Sequence, residues 1–588
     1  MAKRAEVRQL HIKGFRGIEN LKWNPHKGMN IILGGGDCGK STILEALGLL
    51  FSSSGNRSLT ESDFWNKKSE DGFYIEAAMY VSDDFEFSAG TKIYWPWEWD
   101  GENPVLPAAE ADEVPEAQSP VFKVAVSATG DYELSWEIIQ PDGSREHFPV
   151  GLRRKIGLVA LTNDDRNDRD LRLVYGSALD RLITDNSLRS KIGHAISQVP
   201  LKGSLSDDAK QALEKLDGSL QKEHLPSGLD LGVTSSQGVS IGSLIGLLAN
   251  KGDISLPLAT WGSGTRRMAT LLISAAKDSE TQITTIDELE RGLEPYRLRQ
   301  LVLSLLKSDS QSFVTTHSPI AISCSEGAQL WYVDAAGNLG MLDQDMTATH
   351  QRRDPETFLS RVSVIAEGET EVGFIIAILE TIFGGNPLDA GVRVSLGQGD
   401  DQLLDLLESL NKSGITFAGF ADNDGKKPER WTQLKTAMEA RLFQWENGCI
   451  ETNILSLLPD EYLENLFKDQ DGDWDGYRLR NIATRLGIEG KSFEEIRAAA
   501  DEQGQHLRDL IVAAATGDNS GVDDRSEKKS WKKHAQNWFK KADGSGGREL
   551  LHHLIQSNKW EALEETLRPF FNSVLTLSEK SVVEKIDI

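Results

Sequence analysis

Gly34-Gly35-Gly36-Asp37-Cys38-Gly39-Lys40-Ser41 is the stretch on which the reading of this 588-residue chain turns. Glycine, four residues, then Gly-Lys-Ser is the spacing of a loop that cradles phosphates. Glycines let backbone N–H groups point at anionic oxygens, and the helix that follows adds the positive end of its dipole. The apolar run Met29 to Leu33 precedes the loop, and KSTILEALGLLF after it has helical apolar spacing. Strand, glycine loop and helix together predict a nucleotide site built on Gly34, Gly36, Asp37, Gly39, Lys40, Ser41 and Thr42. Lys40 is expected to reach the β- and γ-phosphates and Ser41 to hold Mg2+, so the expected cofactor is ATP with Mg2+. A ligand-free glycine turn is the competing reading, and the flanking elements argue against it.

Further along, Ile283-Thr-Thr-Ile286-Asp287-Glu288 is an apolar strand ending in two acids. Asp287 is expected to support Mg2+ and Glu288 to orient the attacking water. A strand end capped by surface acids is the plain alternative. Phe313-Val-Thr-Thr-His317-Ser-Pro319 comes next. A lone histidine is more often structural than functional, and only its order after the other two motifs singles out His317.

With these residues in hand, a resemblance becomes specific. Leu10-His-Ile12-Lys-Gly-Phe15-Arg16-Gly17 looks like the opening strand of the RecF/SMC/Rad50-like ABC ATPases, and THSP resembles their switch histidine. The resemblance implies that Arg16 and His317 lie beside the nucleotide. Gly262-Ser263-Gly264-Thr265-Arg266-Arg267 sits where the family's signature motif belongs, with Gly262 at the expected serine position. In the family that motif completes the γ-phosphate site of the opposite subunit, which implies a homo-oligomer, dimeric or larger, formed through the ATPase domain. Glu290 to Pro295, ERGLEP, resembles the following D-loop, with Glu294 where histidine is common. These departures bear on the rate of hydrolysis more than on ATP binding. The roughly 220 residues between glycine loop and signature lack sustained heptads, so no long coiled-coil arm is expected.

A second site is legible downstream. Val364-Ile-Ala-Glu367-Gly-Glu369-Thr-Glu371 is an apolar strand running into acids, and Phe417-Ala-Gly-Phe420-Ala-Asp422-Asn-Asp424-Gly is another. Alternate residues of an extended segment point to one side, so Asp422 and Asp424 are expected to aim together. With Glu367 they make an oxygen-only pocket suited to Mg2+ or Mn2+. Two such metals could activate water and stabilise the leaving oxygen of a phosphodiester. Simple turn acids are the alternative for each motif alone.

Glutamate at one strand end and Asp-x-Asp at another resembles a Toprim domain. A RecF-like ATPase followed by Toprim resembles the OLD (overcoming lysogenization defect) family of nucleases, which includes the nuclease subunit of the Gabija anti-phage system. That resemblance implies further metal ligands at Glu371 and at Glu451 in Ile450-Glu-Thr-Asn-Ile-Leu455, and a lysine that stabilises the transition state within Trp538-Phe-Lys540-Lys541. Lys540 is the candidate, and either lysine could equally be a solvated surface charge. Gly397-Gln-Gly-Asp-Asp401 is a turn between the acidic strands that could touch metal or DNA.

The formal charge of −26 does not fit a protein that merely coats DNA, because such binding needs a basic surface. Either nucleic acid is not the partner, or binding is confined to a local basic surface, or metals held by carboxylates bridge acid to phosphate; charge alone does not decide among these. No apolar run reaches 18 residues and the N-terminus lacks an apolar core, so neither a membrane span nor a signal peptide is expected. Cys38, Cys324 and Cys449 are odd in number and far apart, which argues against disulfides or zinc. A cytoplasmic protein is expected.

The expected fold is α/β. Residues 1–360 would be an ABC ATPase domain, opening on a strand at 5–15 that alternates with one slip. A β-rich stretch follows over 72–160, with an exposed acidic loop at 98–119. A helical insertion over 165–250 is the candidate dimerisation region. Residues 361–588 would be a Rossmann-like Toprim domain with a helical C-terminal region. The function expected is a DNA endonuclease controlled by an ATPase dimer, in anti-phage defence, with a helicase as a possible partner. A non-nucleolytic ABC ATPase that senses DNA or partner proteins is the alternative.

Overall fold

The computed structural model describes residues 5–588 apart from 53–57, 83–84, 90–91, 108–119, 162–169, 175–176, most of 184–244, 252–253, 276–282, 335–336, 469–471 and 491. Most of the expected insertion at 165–250 and of the acidic loop at 98–119 therefore lies outside the described residues. The fold is mixed α/β, as the motif order predicts. It forms two compact units, Met1–Met29 with Ser41–Thr315, and Asn30–Lys40 with Thr316–Ile588.

The first unit carries an antiparallel sheet in the order Arg145–His147, Leu134–Ile139, Pro120–Ala128, Phe73–Val81, Ala5–Phe15, Ile18–Trp23. Val7, Leu10, Ile12 and Phe15 are all fully buried on its core side. The slip in their alternation is a bulge between Val7 and Gln9, where one extra residue restores the apolar side chains to the buried face. Three parallel strands, Val159–Leu161, Thr284–Ile286 and Ser312–Thr315, complete the unit's sheet structure relevant to the site.

In the second unit the strand leading to the glycine loop runs parallel to Gln329–Val333, which pairs antiparallel with Leu339–Met341. A separate four-stranded sheet is parallel throughout, in the order Val392–Leu396, Val362–Ala366, Phe417–Ala421, Leu442–Gln444. Its two central strands, VSVIA and FAGFA, are buried at every position. Unbroken apolar runs are what a parallel sheet covered on both faces requires.

The C-terminal region is helical, as expected, and its apolar side chains merge with the sheet in one core that includes Trp538, Phe539, Phe570 and Phe571. Helix Ser545–Gln556 meets helix Glu369–Phe383 backbone to backbone: a Cβ on Gly373 would stand 1.7 Å from the Gly544 carbonyl oxygen. Residues 339–358 join the same unit through Asp343 N–H to Ser409 Oγ at 3.1 Å, His350 to the Leu396 carbonyl at 3.0 Å and Thr357 to Ser395 at 2.9 Å.

Candidate functional sites

The glycine loop sits between Met29–Gly34 and helix Lys40–Leu50. Gly34 has a φ of 148°, and a Cβ there would stand 2.5 Å from the Val333 carbonyl oxygen, so no other residue fits. Asp37 takes a left-handed φ of 57° although it is not glycine, and a Cβ on Gly36 would meet nothing. Lys40 Nζ folds back to the carbonyls of Gly34 at 3.0 Å and Gly35 at 2.5 Å. The ammonium is thus held by two backbone carbonyl oxygens of the loop. Gly39 is left-handed at φ 100°, and Thr42 is part-buried in the first turn of the helix.

Within the first unit, Ser41 Oγ donates to Asp287 Oδ1 at 3.1 Å, and Thr315 Oγ1 donates to the same oxygen at 2.6 Å. The Glu288 N–H donates to Thr315 Oγ1 at 2.8 Å, and Arg267 donates to the Asp287 carbonyl at 2.7 Å. Thr315 and Arg267 are the residues that sequence reasoning missed; each stands inside a quoted motif, but nothing in the spacing distinguishes it. Glu288 has a left-handed φ of 50° and a side chain 41% exposed, so a strained backbone turns its carboxylate outward.

His317 follows strand Ser312–Thr315 and is exposed. Arg16 takes φ 50° in its turn and grips Glu45 of the Lys40 helix at 2.6 Å and Asp63 at 2.9 Å. Ser263 opens helix Ser263–Ala275. Gly264 packs against Gly292 so closely that a Cβ would stand 2.0 Å from the Gly292 carbonyl oxygen, which joins the signature stretch to ERGLEP. A Cβ on Gly262 would meet nothing, and Glu294 caps helix Pro295–Lys307 and pairs with Arg297.

In the second unit the acids gather at the C-terminal ends of the two central parallel strands. Glu367 follows Val362–Ala366, and its Oε2 accepts from the Asp422 N–H at 3.0 Å. Asp422 follows Phe417–Ala421, and its Oδ1 accepts from the Ile450 N–H at 3.1 Å at the start of helix Ile450–Leu457. Glu451 in that helix is fully buried; its Oε1 accepts from Thr370 Oγ1 at 2.9 Å and its Oε2 has no hydrogen-bond partner. Glu371 is buried in the first turn of the helix that starts at Glu369. Thr370 is the residue here that the sequence did not single out.

The electrostatics follow from this crowding. Burial and then Glu451 push the Glu371 carboxyl up to about 8. Burial, then Glu371, Glu367 and Glu451, push Asp422 up to about 10. Burial also raises Glu367, opposed by the Asp422 N–H. Burial would lower the Lys540 ammonium, but Glu451, Cys449, Glu371 and Asp422 outweigh it and hold it above its ordinary value. Lys540 keeps solvent contact where it lines the cleft, so this is a field effect of facing carboxylates, not a sealed ion pair. Lys541 instead pairs with Glu549 at 3.0 Å.

Asp424 departs from expectation. The strand ends at Ala421, and Asn423 turns the chain, accepting from the Gly425 N–H at 3.2 Å. Alternation therefore stops, and Asp424 faces solvent, 46% exposed and paired with Lys426 at 3.1 Å. It acts on Glu367 only through its charge. Glu367, Glu371, Asp422 and Lys540 line one cleft of about 830 Å3, joined by Glu369, Thr370, Arg353, Arg393 and Gln398. Among the described residues, no three His, Cys, Asp or Glu side chains are already grouped as a metal shell.

The family model described as "AAA domain, putative AbiEii toxin, Type IV TA system" matches residues 29–323. The Septu protein PtuA of Bacillus thuringiensis is 46% identical over 52 residues, 9% of this chain and 13% of that protein, so the match spans a small part of the relative. Solved structures align at low similarity. The Smc head domain from Pyrococcus furiosus, bound to the C-terminal domain of ScpA, is 12% identical over 59% of this chain and 98% of its own, with TM-score 0.34. The recombination mediator RecF with ATP is 15% identical over 58% and 100%, with TM-score 0.32.

Proposed function

The chain belongs to the AAA_21 family, and from that premise we propose that it is an ATP-binding, metal-dependent DNA endonuclease whose nucleotide site controls a C-terminal Toprim-like site. The observation that carries this reading is the convergence of Glu367, Glu371, Asp422 and Lys540 in one cleft at the ends of adjacent parallel strands. Ligands of open α/β sheets bind at that edge.

The donor set suits a divalent cation. Glu451 has a buried oxygen with no donor, and it raises both Glu371 and Asp422. Glu371, Asp422 and Glu451 would hold Mg2+ or Mn2+, with Glu367 and the loop acid Asp424 available to a second ion. Such ions supply a nucleophilic water and charge at the leaving oxygen. Lys540 holds its proton against the phosphate, where a fixed cation offsets the charge that develops in the transition state.

In the same reading, Lys40, Ser41 and Asp287 serve ATP and its Mg2+, and Glu288 orients water. The ATPase domain is residues 1–360 and the Toprim domain 361–588. The signature at Gly262 to Gly264 serves a second copy of the chain, which makes the protein a homo-oligomer. In this reading DNA is the substrate, a helicase is a possible partner and the setting is cytoplasmic; the role in anti-phage defence rests on the likeness of its motifs to OLD nucleases. Among the described residues no helix is long and apolar enough to cross a membrane.

Plasmid cleavage with Mg2+ or Mn2+, with and without ATP, tests the reading on the wild type and Asp422→Ala. Nicking that needs metal and vanishes in the variant is expected. Nicking that survives in Asp422→Ala moves the site elsewhere. A wild type that never cuts leaves the chain a non-nucleolytic ATPase.

A further inference from the structure

The cleft that holds the carboxylates also has basic lining. Arg353, the last residue of helix Gln344–Arg353, lines it together with Asp354, Arg393 and Gln398. Arg393 is already neutralised, by Asp354 at 2.7 Å and Glu356 at 2.5 Å. Arg353 is not: its Nη1 donates to the neutral Gln398 Oε1 at 2.8 Å, and among the described residues it has no ion pair.

Both partners are fixed from behind. Three residues before Arg353, the fully buried His350 is hydrogen-bonded to the Leu396 carbonyl at 3.0 Å. Gln398 holds a left-handed φ of 64°, rare for a side-chain-bearing residue. Its neighbours tie it to the strand that carries Glu367. The Gly397 N–H donates to the Ala366 carbonyl at 2.6 Å, and the Gly399 N–H donates to the Glu367 carbonyl at 3.2 Å. A strained turn anchored on the acidic strand thus aims an amide oxygen at one arm of a guanidinium and leaves its charge without an ion pair among the described residues.

We propose that Arg353, positioned by Gln398, is a phosphate-binding residue that receives a non-bridging oxygen of the nucleic-acid backbone in the cleft that holds the carboxylates. The proposal rests on the nuclease reading of that cleft. A guanidinium matches phosphate oxygens two at a time, and one arm on an amide preserves both its charge and its aim. The chain's charge of −26 works against DNA binding, and a cation in the cleft offsets it locally, alongside Lys540. The 830 Å3 of the cleft leaves room for a nucleotide unit.

The test is duplex DNA binding by the full chain in Mg2+, with Asp422→Asn as a non-cutting background, over a series of salt concentrations. Arg353→Ala should raise Kd about tenfold, the order expected for a lost hydrogen bond to a charged group. It should also reduce the slope of log Kd against log salt by about one, the mark of one phosphate contact. Arg353→Lys should restore the slope and part of the affinity. Gln398→Ala should raise Kd less and keep the slope. With Asp422 intact, Arg353→Ala should raise KM for DNA more than it lowers kcat. An unchanged Kd and salt slope in Arg353→Ala, against a parent that binds DNA, overturns the role of Arg353 alone. A parent that neither binds nor cuts DNA overturns the nuclease reading and this inference with it.

Discussion

The Thr370 hydroxyl donates to Glu451 Oε1 at 2.9 Å, joining the helix after the first acidic strand to a buried carboxylate 81 residues later. Among the described residues Glu451 Oε2 has no hydrogen-bond partner. One hydroxyl therefore serves a buried acid whose charge raises the Glu371 and Asp422 carboxyls. Thr370→Val keeps the shape and removes the donor. It should cost about 1–3 kcal/mol of stability, the range for stranding a buried acceptor. Urea unfolding measures this, and a midpoint equal to wild type would refute the role given to Thr370.

Stability of the metal-free protein should fall as pH rises. Glu371 and Asp422 have folded pKa values of about 8 and about 10, above the ordinary 4.5 and 3.8. The folded state then binds more protons than the unfolded one between about pH 4 and those values, so the stabilisation present in acid is lost on the way up. Glu367, Glu451 and Lys540 set the field in which this happens. Divalent metal should flatten the slope, because it favours the charged carboxylates, and its binding should release protons. Melting temperatures at pH 5, 6.5 and 8, with Mg2+ or EDTA, read both effects.

The two adjacent lysines should separate. Lys540 faces Glu451, Glu371 and Asp422, whereas Lys541 is held by Glu549 at 3.0 Å. Lys540→Ala should slow DNA cleavage by about 10²–10³, the usual loss when a transition-state donor is removed. Lys541→Ala should leave cleavage unchanged and cost at most about 1 kcal/mol, as for a part-exposed pair. Equal loss of activity in both variants would contradict the assignment.

At the nucleotide site, Lys40→Ala should abolish ATP binding, because the loop loses the only side-chain cation that its geometry turns inward. Isothermal titration on the wild type and the variant decides this; matching affinities would refute it.

Glu288→Gln should bind ATP and hold it unhydrolysed. The Glu288 carboxylate is turned outward by a left-handed backbone, while its N–H is held by Thr315. Radiolabelled nucleotide recovered as ATP after gel filtration is the expected readout. Unchanged turnover would remove Glu288 from the water-orienting role.

The sequence by itself determined the elements and their chemistry. Gly34 to Ser41 between a strand and a helix needs only local backbone rules, and the alternation of Val7, Leu10, Ile12 and Phe15 announces a half-buried strand, bulge included. The largely apolar strands before Glu367 and Asp422 likewise announce a covered parallel sheet. Tertiary structure decided which acids meet. Asp424 looked equivalent to Asp422 by alternation, but the strand stops at Ala421 and Asn423 turns it to solvent. Thr370, Thr315, Arg267 and Arg353 carry no motif of their own; their partners lie 81, 28, 20 and 45 residues away. Lys540 and Lys541 are indistinguishable as neighbours in sequence, and only the packing of helix Ser545–Gln556 on helix Glu369–Phe383 gives one to the carboxylates and the other to Glu549. Local patterns report backbone geometry, which short stretches fix; the field at a carboxylate depends on charges that only the folded chain brings together.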